Sequence, residues 1–143
     1  MLNKRKIREL AMQVLFTWDS HGQDDASMAE HVLHQAVEEG LRAPALEMAR
    51  GVWADRATID ARLERVAPQW PPRRQPGVDR AILRLSVWEL THRDTPPKVV
   101  IDEAIEIVKA FSTGDSPAFV NGVLDAIMHE NAALLQGQPT PIA

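Results

Sequence analysis

Four cations, Lys4, Arg5, Lys6 and Arg8, stand within the first eight residues with no acid among them. Positive charge this dense is suited to holding a phosphate backbone. Helix stability does not explain it, because cations at a helix start oppose the helix dipole. The remaining reactive side chains form no catalytic set. No cysteine is present, which removes thiolate metal sites, iron–sulfur clusters and thiol nucleophiles together. The glycines lack phosphate-cradling spacing, and Ser, His and Asp occur without a nucleophile elbow. His31 and His34 stand at i, i+3, a spacing that can hold a metal. No second pair accompanies them, so they read as solvated surface and neither a metal nor a cofactor is expected. Asp102, Glu103 and Glu106 follow a helix start and read as favourable partners of its dipole.

The elements that must carry these residues are helices. Ile7, Leu10, Ala11, Val14, Leu15 and Trp18 repeat at one helical face, and Gly22 ends the pattern. Ser27 with Glu30 reads as a capping box opening a second helix to about Glu39. Pro44 suits the first turn of a long third helix through Ala67. Residues 68–77 hold four prolines and form a connector. Beyond it the pattern predicts a fourth helix from Val78 to about Arg93 and a fifth over Lys98–Ser112, with a stripe at Ile101, Ala104, Ile105, Val108 and Phe111. Ser116 as N-cap and Pro117 as first residue open a sixth. The tail from Gly137 reads as frayed. No stretch alternates with period two. The expected fold is all-α, one domain over 1–143 of two packed three-helix bundles, with halves at about 3–67 and 78–136.

Individual positions carry further expectations. At about 100° per residue, Phe16 lies opposite the core stripe of the first helix, with Met12 and Arg5 nearby. An aromatic and a methionine together suggest a contact surface. The fourth helix is apolar almost all round, so it should be central. Glu89 on it needs a partner if buried, either an Arg or a Trp N–H. Gly122 in mid-helix suggests a close helix crossing. Phe119 suits either the core or an exposed stacking role.

Composition sets the outer bounds. The net charge is −4, with residues 75–143 carrying all of it, so a general nucleic-acid coat is excluded while a basic tip is not. The hydrophobic share is 45%, ordinary for a globular protein. No apolar run suits a membrane span or a signal segment, and the expected compartment is the cytoplasm.

The stretches KRKIRELAMQVLFTW, VDRAILRLSVWEL, PPKVVIDEAIEIVKAF and SPAFVNGVLD, in this order, resemble the NusB family of bacterial transcription antitermination factors. The resemblance implies a fold of two three-helix bundles. It implies binding of single-stranded boxA-like RNA of ribosomal RNA leaders as a heterodimer with NusE, a small-subunit ribosomal protein, within an RNA polymerase antitermination complex. By the same resemblance Lys4, Arg5, Lys6 and Arg8 contact RNA, Asp115, Ser116 and Phe119 line the RNA site, and Phe16 and Asp79 face NusE. Met12 joins that partner face from its place on the helical wheel. Two alternatives stay open, a protein–protein adaptor with weak or no RNA binding and a homodimer through the Phe16–Met12 patch when the protein is free.

Overall fold

The computed structural model describes residues 3–36, 38–92 and 94–137. Among these the chain forms seven α-helices and no strand. They are α1 (Lys4–His21), α2 (Ala26–Leu33), α3 (Arg42–Ala54), α4 (Arg56–Val66), α5 (Gly77–His92), α6 (Pro97–Phe111) and α7 (Ser116–Gly137). Short 3-10 turns sit at Glu39–Leu41 and Pro72–Arg74. The frayed tail expected beyond Gly137 and the helix end expected at Arg93 lie outside the described residues.

The helix ends are set by local hydrogen bonds. Asn3 caps α1, its side chain accepting from the Lys6 N–H at 3.2 Å. Gly22 closes it at φ +74°, where a side chain would be strained. Helix α2 is capped by Asp25 rather than Ser27. The Asp25 carboxylate accepts from the backbone N–H groups of Ser27 and Met28 and from the Ser27 hydroxyl. It ends at Leu33, well short of Glu39.

The expected long third helix is two helices. At Asp55 the backbone leaves helical geometry, with φ −95° and ψ 4°. The guanidinium of Arg56 donates to the Trp53 carbonyl at 2.7 Å and lies over the Trp53 ring at 4.1 Å, which satisfies the broken end.

Helix α5 is central as its apolar circumference requires, packing against α1, α3, α4, α6 and α7. Trp18 is buried, meets Trp53 edge-on at 5.7 Å and donates its indole N–H to the Asp25 carbonyl. The close helix crossing is at Gly51, not Gly122. A Cβ on Gly51 would lie 2.7 Å from Trp88 Cζ2, whereas Gly122 is exposed with open space around it. The proline connector is anchored by Arg80, which donates to the carbonyls of Pro72 and Gln75 and pairs with Asp19 of α1. Arg84 binds Asp60 of α4 through two hydrogen bonds and also reaches Asp19, so α1, α4 and α5 meet on one ionic cluster.

Candidate RNA and partner interface

The first turn of α1 presents Lys4, Arg5 and Lys6, all exposed. Lys6 pairs loosely with Glu9 at 3.4 Å. Arg5 donates through Nε and Nη2 to Glu103 of α6, at 2.7 and 3.0 Å. That hydrogen bond holds the Glu103 carboxyl below the usual carboxylate range and raises Arg5 above its own. Glu103 lies outside the first turn of α6, where the dipole acts. Its partner is Arg5, which corrects the helix-dipole reading.

Arg8 does not belong to this exposed set. It is 5% exposed and clamps Glu89 of α5, with Nε 2.9 Å from Oε2 and Nη2 3.0 Å from Oε1. One turn of helix separates Lys4 from Arg8, but α3 and α5 pack against α1 and enclose Arg8. Glu89 is buried and takes an arginine partner, as its burial requires.

Arg5 shares a surface depression of about 590 Å³ with Lys109, Pro117, Ala118 and Asn121. The start of α7 is thereby brought beside the basic end of α1. Asp115 is exposed, and its carbonyl rather than a Ser116 cap accepts from the Phe119 N–H at 3.0 Å. The Ser116 hydroxyl turns inward and donates to Asp79. Phe119 is half-buried and packs against the core cluster.

A shallow groove of about 700 Å³ runs between α1 and α2, lined by Phe16, Thr17, Met28, His31 and Phe111. Phe16 is 41% exposed and Phe111 38%, so Phe111 leaves the buried stripe assigned to it. The Phe16 ring lies over the start of α5, so close that a Cβ on Gly77 would stand 2.8 Å from Cε2. Two expected members of this face are buried. Met12 is 2% exposed because α2, α3 and α5 surround α1, widening its buried face beyond one wheel stripe. Asp79 is also 2% exposed; its two oxygens accept from Ser112 Oγ at 2.8 Å and Ser116 Oγ at 2.7 Å. It ties α5 to the α6–α7 turn and presents no charge to a partner.

Sequence reasoning did not assign Glu103 to Arg5 or Phe111 to the groove. The matching charges of Arg5 and Glu103 were legible, but the contact spans 98 residues.

The family model described as the NusB family matches residues 5–129. A transcription antitermination protein NusB from Solibacter usitatus is 42% identical over 133 residues, covering 91% of each chain. The solved structure of T. maritima NusB is 34% identical, with a TM-score of 0.80 over 90% of this chain and 92% of that one. A structure of antitermination factors NusB and NusE in complex with dsRNA is 25% identical, with a TM-score of 0.79 over 89% of this chain and 96% of that one.

Proposed function

The chain belongs to the NusB family, and from that premise we propose that it is a transcription antitermination factor. It binds boxA-like RNA of ribosomal RNA leaders together with NusE and enters an RNA polymerase antitermination complex. Its action is binding rather than catalysis. The observation that carries the RNA assignment is the exposed triplet Lys4, Arg5 and Lys6, of which Arg5 stands beside the start of α7. Long-range charge brings the RNA to this end. The partner face is the Phe16–Phe111 groove, where two aromatic rings stand free to be buried.

The test is a titration of single-stranded boxA-like RNA with and without NusE. Binding that tightens when NusE is added is the expected result. No RNA binding in either case overturns the proposal. Duplex RNA serves as the comparison, and equal affinity for both forms would assign recognition to backbone charge alone.

One observation favours the adaptor reading. Arg8 is buried, Arg5 holds Glu103 and Lys6 pairs loosely with Glu9, which leaves Lys4 as the cation of the basic tip without an ion-pair partner among the described residues. NusE binding without any RNA affinity would establish it.

A further inference from the structure

Between the starts of α1 and α3 and the end of α5 lies a cleft of about 290 Å³. That is near the lower end of ligand-sized pockets, roughly 300–1,000 Å³. Its walls include Pro44, Met48 and Trp88, and Lys4 stands among its lining residues. The Trp88 ring is fixed from behind by the Gly51 crossing and from the side by His92, whose ring lies 4.1 Å away. Arg8 and Glu89 also line the cleft.

Arg8 is more than nine-tenths buried, yet its hydrogen bonds are incomplete. Nε and Nη2 are engaged by Glu89, while Nη1 has no acceptor among the described residues. Because Arg8 lines the cleft, this edge of the guanidinium is available to an acceptor that enters it. Its N–H groups, beside aromatic and apolar walls, suit a planar group that presents acceptors at its edge. Guanine offers two, O6 and N7, which is the edge arginine pairs with most often. The carboxylates of Glu47 and Asp94 also line the cleft and could accept from guanine's opposite, N–H-bearing edge.

We propose that this cleft receives one guanine base of the bound RNA, with Arg8 reading its O6/N7 edge while Lys4 holds the adjoining phosphate. The inference rests on the RNA-binding reading and adds a sequence-selecting pocket to it. The charge pair Arg8–Glu89 then serves twice, joining α1 to α5 and aiming the free guanidinium edge. Stacked bases are extruded most readily from a single strand, which is the form such a pocket would take.

The experiment compares uridine oligomers with and without a single guanine, using intact protein and fluorescence anisotropy. One guanine should tighten binding about tenfold, the scale of a good bidentate base contact. Replacing it with 7-deazaguanine, which lacks N7, should remove most of that gain. Met48→Trp, which fills the cleft from its side wall, should abolish the guanine preference while leaving affinity for the plain uridine oligomer unchanged. His92→Ala, an exposed position, provides a second variant whose fold is not at risk and should reduce the preference. Lys4→Ala should weaken both oligomers alike. Binding of both oligomers with equal affinity, or a guanine preference unaffected by Met48→Trp and His92→Ala, overturns the pocket and leaves RNA binding intact. Failure of every oligomer and of boxA-like RNA to bind overturns both.

Discussion

Arg8 of α1 and Glu89 of α5, 81 residues apart in sequence, form a buried ion pair in which Nε and Nη2 both reach the carboxylate. A cation in the basic N-terminal run is thereby part of the protein's interior. Removing one member of such a pair strands the other charge, a loss of about 3–5 kcal/mol. Arg8→Ala should therefore melt far below the wild type. Arg8→Met with Glu89→Leu should recover most of that loss, because no charge is left unpaired. Thermal unfolding of the single and double variants checks this, and equal melting of all three would exclude the buried pair.

Lys4, Arg5 and Lys6 remain exposed and are the proposed phosphate contacts. Each contact with a single strand contributes a log–log salt slope of about −0.7, so three give a slope near −2. Lys4→Ala with Lys6→Ala should flatten the slope and weaken binding to any RNA sequence. A salt titration with an unchanged slope would remove both lysines from the interface.

The proposed partner groove distinguishes Phe16 from its neighbours on the same helix. Phe16→Ala should cost about 1 kcal/mol or less in folding, since the ring is partly exposed. In NusE binding it should cost above about 1–2 kcal/mol, as a buried aromatic anchor does. Met12→Ala should behave oppositely, losing about 2–5 kcal/mol of stability through a core cavity. Asp79→Ala should lose about 1–3 kcal/mol by leaving the Ser112 and Ser116 hydroxyls without their acceptor. Melting curves beside NusE titrations distinguish the three.

Glu103 and Glu130 are held below the usual carboxylate range, chiefly by hydrogen bonds from Arg5 and Arg65. A carboxyl with a depressed folded-state pKa stabilises the fold above its unfolded pKa, and that contribution is lost as pH falls through the folded value. Stability should therefore fall below about pH 4.3, the ordinary glutamate value. Glu103→Gln should make the acid limb shallower. An acid limb identical to the wild type's would mean that the Arg5 pair contributes nothing to folding.

Two of the helical glycines, Gly51 and Gly122, make a matched pair. Gly51→Ala drives a methyl into Trp88 and should destabilise by about 1–3 kcal/mol. Gly122→Ala meets open space inside a helix and should stabilise by about 0.5–1 kcal/mol. Reversal of the two signs in thermal melts would contradict the crossing at Gly51.

Periodicity made the helices and the central place of α5 legible, because an apolar circumference can only be covered by surrounding helices. The same pattern exposed Phe16 correctly and Met12 wrongly. A wheel gives a residue's direction, whereas burial depends on how many neighbours pack around the helix, and α1 has several. Charge counting grouped Arg8 with Lys4, Arg5 and Lys6, since composition does not record which cation faces a carboxylate across the fold. The break at Asp55 was hidden because it contains neither proline nor glycine and depends on the Arg56 side chain. The resemblance to NusB proteins implied an RNA end by position. Only the folded chain placed Glu103 against Arg5.

The ionic cluster beneath α5 bears on whether the chain could ever be divided. Asp19 and Asp60 precede the proline connector, and the arginines that bind them, Arg80 and Arg84, follow it. A fragment cut within residues 68–76 would keep two carboxylates whose counterions had left with the other piece. The two pieces are therefore expected to be poor folders alone but to complement each other when mixed, and the intact protein to melt in a single transition.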